Sequence, residues 1–195
     1  MEEQELMRLI QKGDEAAFEK IVAMYKHRIV NFLTQMTGDY QQAVELSQET
    51  FMRVYFKANR YKPMAPLSSW IYTIASNLAK TELKKARKMS TVSLDDNERN
   101  LSNRVAASID PQSSFLVKNL KQALNTLHPR YRIPIILKDI EGFSQEEIAQ
   151  ILKRPVGTIK ARISRGRDYL KQALEKSEKN IDVMAKTEEC QHGNT

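Results

Sequence analysis

The sequence predicts an all-α protein built from two small helical domains joined by a flexible linker. Apolar residues recur at three- and four-residue spacing, as in helices with one buried face. The 195 residues include only six Gly and six Pro, and no stretch alternates as a strand would. A segment rich in Ser, Asn and Asp has too few apolar side chains to offset its ordering entropy. We therefore predict domains at 1–88 and 114–176, a linker at 89–113 and an acidic, disordered tail at 177–195.

Three helices are predicted for the first domain. A long helix carries an apolar stripe over residues 18–36, and Gly38 would end it. A second helix begins near Tyr40 and is stopped by the loop 60–66, which contains two prolines. A third helix begins near Ser68 and ends in a run of Lys and Arg, which suits the negative end of its dipole.

The second domain is predicted to contain a helix-turn-helix. Two helices come first, and Pro134 should kink the second of them. Ser144 then opens a short helix through a capping box with Glu147, because each side chain can bond the other residue's amide. Pro155 fits the first position of the next helix. The predicted helix-turn-helix, residues 145–164, turns several basic side chains to solvent.

The charge balance indicates a polyanion as partner. The chain holds 31 Lys and Arg against 24 Asp and Glu, a formal net charge of +7. Residues 114–176 carry +7 and residues 1–87 carry +3, whereas 88–113 and 177–195 carry −1 and −2. A basic helix-turn-helix suits DNA, because Lys and Arg meet phosphates and guanine edges in the major groove.

Several classes of protein are disfavoured by the sequence. Its longest apolar run falls far short of the roughly 18 residues that a spanning helix needs, and its first residues are acidic, so we expect a cytoplasmic protein. Cys190 is the only cysteine, and with His192 it would make a poor metal site. A Gly-rich phosphate loop and a spaced nucleophile and base are missing, so we expect no enzyme, no catalytic residue, no metal and no cofactor.

One group of motifs lies in the first predicted domain, and a second group lies in the second. The early motifs are residues 45–51 and 69–72, followed by Asn77. The late motifs are the two helix-turn-helix segments, 144–152 and 155–163. In order and spacing, these motifs resemble the second and fourth conserved regions of bacterial RNA polymerase sigma factors of the extracytoplasmic-function (ECF) type.

The resemblance covers residues 8–88 and 114–174, and few positions depart from it. Lys153 occupies a turn position where the family often has Gly, so either it accepts an unfavourable backbone angle or the turn differs. Ser164 stands where relatives often have an aromatic residue or His. Pro134 interrupts a helix that is usually continuous.

The resemblance implies a sigma factor that binds core RNA polymerase, directs it to specific promoters and promotes promoter melting. The implied partners are the clamp helices of the largest polymerase subunit, the flap region of the second-largest subunit, promoter DNA and an anti-sigma factor. In holoenzyme the chain would be nucleoid-associated. A membrane-anchored anti-sigma factor would hold it at the inner face of the membrane, with no membrane insertion of its own.

The resemblance also assigns residues in the first domain. Its second helix would dock on the polymerase through Glu45, Leu46, Gln48, Glu49, Phe51 and Arg53. The loop and the third helix would bind the minus-ten element as a single strand, with a pocket for an extruded base. Aromatic, amide and basic side chains suit that ligand. The expected minus-ten residues are Tyr61, Met64, Ser68, Ser69, Trp70, Tyr72, Asn77, Lys80 and Lys84.

The helix-turn-helix would read the minus-thirty-five element as duplex DNA. Gly157 and Thr158 lie at a helix N-terminus, which favours a phosphate. Lys160 and Arg165 are expected at base edges or nearby phosphates, whereas the other cations position the backbone. The full expected set is Arg154, Gly157, Thr158, Lys160, Arg162, Ser164, Arg165 and Arg167.

Other functions, and other roles for some of these residues, also stay open. A stand-alone helix-turn-helix repressor or activator would carry a sensor or dimerisation domain in its first half and bind DNA tightly unaided. An RNA-binding or purely structural helical protein is a third class. Trp70 also fits a core position, and Glu45 and Glu49 also fit simple ion pairs with Arg53.

Overall fold

The computed structural model describes residues 2–92 and 111–192, with side-chain surroundings for 2–86 and 119–176. These residues form helices joined by short turns and contain no strand, so the predicted all-α fold class is confirmed. The helices are α1 Glu3–Gln11, α2 Glu15–Thr37, α3 Tyr40–Phe56, α4 Leu67–Val92, α5 Pro111–Thr126, α6 Pro129–Ile135, α7 Gln145–Leu152 and α8 Val156–His192.

The ends of α2 and the start of α3 follow from local chemistry. Asp14 caps α2 by accepting a hydrogen bond from the Ala17 amide at 2.9 Å. Gly38 ends α2 in the left-handed region with φ 78°, as predicted. Asp39 then caps α3 by accepting from the Gln42 amide at 3.0 Å. The chain therefore reverses direction within two residues, and α2 and α3 pack side by side.

Helix α1 was not among the predicted helices, although its apolar residues have helical spacing. Leu6, Met7 and Ile10 are buried against α2. The Tyr25 hydroxyl donates to the Glu3 carboxylate at 2.6 Å, and burial followed by this bond raises the pKa of Tyr25. The acidic start of the chain is thus tied to the helical bundle of α1 to α4.

Pro134, at which a kink was predicted, lies inside α6 near its end. The helix ends at Ile135, and a five-residue π turn, Ile136–Ile140, follows it. A proline inside a helix removes one amide donor and displaces the preceding turn, which is a recognised cause of such irregularity. Ile136 and Leu137 nevertheless remain fully buried, so the irregular turn does not open the core.

The predicted tail differs from the structure. Helix α8 continues to His192, so residues 177–192 are helical where the sequence predicted disorder. Neither Gly nor Pro occurs between residues 171 and 192, and strong helix formers dominate there. Of the predicted linker, residues 93–110 lie outside the described residues. The domain boundaries at 88 and 114 stay a prediction.

The two halves of the described chain, residues 2–86 and 119–176, pack against each other. Helix α4 contacts α6 and α7, and α2 contacts α5 and α6. One buried cluster includes Phe32 and Tyr72 of the N-terminal half together with Ile136 and Phe143 of the C-terminal half. The sequence predicted two separate domains, and this shared core is an additional feature of the structure.

Candidate nucleic-acid interface

The helix-turn-helix forms as the sequence predicted. The Ser144 hydroxyl accepts from the Glu147 amide at 3.1 Å, and the Ser144 amide donates to the Glu147 carboxylate at 2.8 Å. This capping box fixes the start of α7. Ile148, Ile159 and Ile163 are buried where α7 and α8 meet the rest of the core. The outer face of α8 is therefore held firmly towards solvent.

Lys153 makes the turn between α7 and α8 in the left-handed conformation, with φ 51°. It has the only positive φ among the non-glycine residues that the structure describes. The turn therefore keeps the geometry that the family often achieves with Gly, at the unfavourable backbone angle that the sequence indicated. The Arg154 amide then bonds the Ala149 carbonyl at 3.0 Å and completes the turn.

The solvent-facing side of α8 carries most of the predicted duplex-reading residues. Lys160, Ser164 and Arg165 are exposed, as is Gly157 at the start of the helix, and Thr158 is half-buried. Gly157, Thr158 and Arg165 also line one surface groove. Cations beside free helix amides form a surface that suits phosphates and base edges.

Arg167 is already engaged within the protein. Its guanidinium pairs with the Asp139 carboxylate, with Nε 3.1 Å from one oxygen and a second nitrogen 2.5 Å from the other. This hydrogen bonding, followed by the charge of Asp139, raises the pKa of Arg167. In this arrangement Arg167 holds the turn after α6, and its contact with the DNA backbone stays a prediction.

The loop before α4 is held by an aromatic pair. Tyr61 is 7% exposed, and its ring centroid lies 5.4 Å from that of Trp70. Its hydroxyl donates to the Ala65 carbonyl at 3.2 Å. Burial, followed by the charge of Glu3, raises the pKa of Tyr61. The prediction that Tyr61 offers a free face to a base is therefore wrong for this conformation, because the ring supports the loop.

Tyr72, predicted to contact the minus-ten strand, is also buried. The side chain is fully buried on α4, and its hydroxyl donates to the Glu141 carboxylate. Ser69 is also buried, whereas Ser68 and Trp70 are half-buried. Helical periodicity explains the error, because residues 69 and 72 share the inner stripe of α4. The half-buried position of Trp70 agrees both with a core role and with a role at the minus-ten strand.

The exposed minus-ten candidates fall in two places. Met64, at the loop, is 89% exposed. Asn77, Lys80 and Lys84 are spaced three and four residues apart, so they form one stripe on α4. Asn77 and Lys84 are exposed and Lys80 is half-buried. An amide and two cations in line suit a base edge and a following phosphate backbone.

The predicted polymerase-binding residues on α3 divide by burial. Glu45 and Gln48 are exposed, Leu46 is half-buried, and Glu49 pairs with Arg53 at 2.7 Å. Phe51 is 6% exposed and belongs to the core, so its predicted contact with a partner is wrong for this conformation.

Sequence reasoning missed two apolar residues on the outer face of α3. Met52 is 52% exposed and Phe56 is 76% exposed. They continue the stripe of Glu45 and Glu49 at spacings of three and four residues, which is the signal that could have revealed them. Such exposed apolar side chains beside charged ones are typical of a protein-binding surface.

Four cations from both halves meet in one cleft, which we call the basic cleft. Its volume is about 260 Å³, and Lys80, Arg130, Arg154 and Arg162 line it. Burial, followed by the charges of Arg154 and Arg162, lowers the pKa of Lys80. Burial, followed by Arg154 and Arg130, lowers that of Arg162. No acidic side chain lines the cleft among the described residues.

Comparison with known proteins decides the family. The family described as Sigma-70 region 2 matches residues 21–89, and Sigma-70, region 4, matches residues 118–170. The RNA polymerase sigma-H factor of Pseudomonas aeruginosa is 30% identical over 182 residues, which cover 89% of this chain and 94% of the relative. The ECF RNA polymerase sigma factor SigW of Bacillus subtilis is 33% identical over 173 residues, covering 85% and 92%.

The chain belongs to the ECF family of RNA polymerase sigma factors. Among solved structures, the sigma factor RpoE from Bartonella quintana, in complex with the anti-sigma factor NepR, superposes with a TM-score of 0.65. That chain is 27% identical, and the match covers 81% of this chain and 96% of that one. The predicted family and helical architecture of this sigma factor are thus confirmed.

The described part of the chain was also searched for membrane-spanning helices and for metal-binding groups. Within residues 2–92 and 111–192, no helix is long and apolar enough to cross a membrane. The same part of the chain contains no group of three or more His, Cys, Asp or Glu side chains placed to bind a metal ion. The side chains of Cys190 and His192 lie outside those that the structure describes.

Proposed function

We propose that this sigma factor joins core RNA polymerase through α3, binds the minus-ten element through α4 and its preceding loop, and reads the minus-thirty-five element through α8. The observation that carries the proposal is the order of the two family matches, region 2 at residues 21–89 and region 4 at 118–170. Each match contains an exposed surface whose chemistry suits one of these ligands.

The polymerase contact is assigned to the outer face of α3. Glu45 and Gln48 offer polar groups there, and Met52 and Phe56 offer exposed apolar area. A partly charged surface with an apolar centre is typical of a specific protein interface. The clamp helices of the largest subunit are the proposed partner of this face, and the flap region of the second-largest subunit is the proposed partner of the C-terminal half.

Binding of the minus-ten strand is assigned to the exposed stripe of α4 and to the loop. The Asn77 amide can bond a base edge, Lys84 can neutralise phosphate, and Met64 and Trp70 can contact an extruded base. Capture of such a base would stabilise the melted promoter because stacking and hydrogen bonds offset the few kcal/mol of unstacking.

Reading of the minus-thirty-five duplex is assigned to Lys160 and Arg165, with Gly157 and Thr158 at a phosphate. Cations on an exposed recognition helix supply both attraction to the backbone and discrimination of guanine. In this role the sigma factor catalyses no reaction of its own and works in the cytoplasm.

Control by an anti-sigma factor is part of the proposal. Its support comes from structure: the solved RpoE that matches at 27% identity is bound to the anti-sigma factor NepR. We propose that an anti-sigma factor binds this chain and masks the outer face of α3. If that inhibitor is membrane-anchored, the sigma factor is held at the inner face of the membrane until release.

Run-off transcription with purified core polymerase tests the proposal. Phe56→Ala should reduce transcript from a cognate promoter at least about tenfold, because central apolar anchors dominate interface energy. Met24→Ala is the matched control, since Met24 is a 50% exposed apolar residue on α2. A wild-type chain that supports no transcription yet binds an operator tightly by itself would favour the stand-alone repressor instead.

A further inference from the structure

The basic cleft gathers positive charge from several elements of the fold. Lys80 comes from α4, Arg130 from α6 and Arg162 from α8, and Arg154 lies in the turn between α7 and α8. Lys80 and Arg162 are half-buried, whereas Arg130 and Arg154 are exposed. Cations that are distant in the sequence therefore face one small volume.

These cations lack the acidic partners that other cations of the chain have. Arg53 pairs with Glu49 at 2.7 Å, and Arg167 pairs with Asp139. Among the described residues, no cation that lines the basic cleft forms such an ion pair. The positive charge of the cleft is thus left without a carboxylate from this part of the chain.

Uncompensated charge in a partly buried site favours an anion as ligand. Burial, followed by the charges of Arg154 and Arg162, lowers the pKa of Lys80, so its ammonium form is disfavoured at this position. A bound anion would relieve the repulsion and stabilise the charged form. A cleft lined by one sign of charge also concentrates counter-ions from solution. The electrostatics of the cleft therefore select an anion over a neutral ligand.

The size of the cleft limits that anion to a compact one. Its volume is about 260 Å³, and Ile133, Pro134 and Leu152 form apolar walls. Pockets for drug-sized ligands usually hold about 300 to 1,000 Å³. At about 30 Å³ per water molecule, the cleft has room for about nine waters. A diphosphate has about as many non-hydrogen atoms, whereas a DNA duplex is too wide to enter.

The side chains also match the geometry of phosphate oxygens. The planar guanidinium groups of Arg130, Arg154 and Arg162 can each donate two parallel hydrogen bonds to a phosphate. The Lys80 ammonium can add a compact point charge. The Arg130 guanidinium lies 4.7 Å from the ring centroid of Tyr131, and this cation–π contact helps to hold it in place.

We propose that the basic cleft is a binding site for a compact polyphosphate anion, either free diphosphate or the phosphate chain of a nucleotide, held by Lys80, Arg130, Arg154 and Arg162. Three of these residues also belong to the sets expected on promoter DNA, and Arg130 does not. The bound anion would therefore compete with the promoter for shared cations. That competition rests on the proposed function, whereas the anion site itself does not.

Isothermal titration calorimetry on the full chain tests the site without DNA or polymerase. Pyrophosphate is titrated in metal-free buffer, with sulfate at matched ionic strength as the comparison. The wild type should bind one equivalent of pyrophosphate with a Kd below about 1 mM, and bind sulfate more weakly. Arg130→Ala and Lys80→Ala should each weaken binding at least about tenfold, because each removes a charge-assisted hydrogen bond. Lys20→Ala, an exposed cation on α2, is the matched control and should bind as the wild type does.

Thermal unfolding shows that each variant is folded and gives a second measure of binding. Pyrophosphate at ten times its Kd should raise the Tm of the wild type and of Lys20→Ala by about 3 to 5 °C, because it binds only the folded chain. The Tm of Arg130→Ala should change little. Weak binding of several equivalents, equal in all three variants, would show attraction to net charge alone and overturn the site.

A titration with ATP distinguishes the two sources of the phosphate. ATP that binds at least as tightly as pyrophosphate, and loses affinity on Arg130→Ala, would assign the cleft to a nucleotide. Weaker binding of ATP than of pyrophosphate would assign it to free diphosphate, because the cleft is then too small for the attached nucleoside.

A minus-thirty-five duplex tests the competition. In a fluorescence-anisotropy titration, pyrophosphate at ten times its Kd should weaken duplex binding by the wild type up to about tenfold, relative to sodium chloride of the same ionic strength. Arg130→Ala should show a much smaller change between the two salts. Equal duplex affinity in both salts would refute the competition. A wild type that binds pyrophosphate in the calorimeter but supports no transcription would retain the anion site and refute the sigma-factor role.

Discussion

The two halves of this sigma factor present their DNA-binding chemistry differently. In the C-terminal half, Lys160 and Arg165 project from a helix whose opposite face is buried. In the N-terminal half, Tyr61 and Tyr72 pack inside the protein. A charged side chain can extend into solvent from a helix whose other face is already packed. An aromatic ring that could stack on a base is also a large apolar group, and burying it stabilises the core. The surface proposed to read duplex DNA is thus preformed, whereas the aromatic residues predicted for the single strand are used in packing.

Removal of the buried Tyr61 ring should destabilise the N-terminal half. Tyr61→Ala should lower the free energy of unfolding by about 3 to 5 kcal/mol, as for other buried aromatics. Tyr61→Phe keeps the contact with Trp70 and loses only the bond to the Ala65 carbonyl, so it should lower it by about 1 kcal/mol. Urea unfolding followed by the fluorescence of Trp70, the single tryptophan, measures both. Wild-type stability of Tyr61→Ala would show that the ring serves binding alone.

The exposed cations of α8 are tested by their contribution to DNA affinity. Lys160→Ala and Arg165→Ala should each weaken binding to the cognate minus-thirty-five duplex by about 1 to 3 kcal/mol if they read bases. Lys171→Ala, further along α8 and exposed, is the matched control. A salt titration sharpens the result, since a pure phosphate contact lowers the salt slope by about one and weakens every sequence alike. Losses equal to that of Lys171→Ala would contradict the assignment.

Arg167, which is paired with Asp139, should contribute little to DNA affinity. Arg167→Ala should change duplex affinity by less than about 0.5 kcal/mol, because Asp139 already occupies its guanidinium and exposed ion pairs contribute little. Asp139→Ala should then release Arg167, and duplex binding should tighten slightly in a fluorescence-anisotropy titration. A loss on Arg167→Ala as large as that expected for Lys160→Ala would place Arg167 on the DNA after all.

Local features of the fold were predictable because their causes are local. Gly38 ends α2 and Ser144 starts α7 through bonds to residues within four positions. The change from α-helix to π turn just after Pro134 agrees with its missing amide hydrogen. Spacing alone could not tell which stripe of a helix faces inward, and so Phe51 and Tyr72 were assigned to partners while the core uses them.

Contacts between distant parts of the chain had no signal in the sequence. Tyr72 and Glu141 are 69 positions apart, and neither motif around them requires the other. The charge distribution correctly drew attention to the C-terminal half, but it could not show that Lys80 and Arg162 border the same cleft. The exposed pair Met52 and Phe56 could not be recognised from the sequence, because apolar side chains at helical spacing are more often buried.

Lys153 has a consequence for how such a protein can change over time. Holding a lysine at φ 51° costs roughly 1 to 2 kcal/mol relative to glycine, yet it keeps a positive charge beside Arg154 at the edge of the surface proposed to read duplex DNA. Glycine here would give a more stable fold with weaker attraction to DNA. We therefore expect Lys153→Gly to raise thermal stability and to lower promoter occupancy, so that one codon would set the balance between the two.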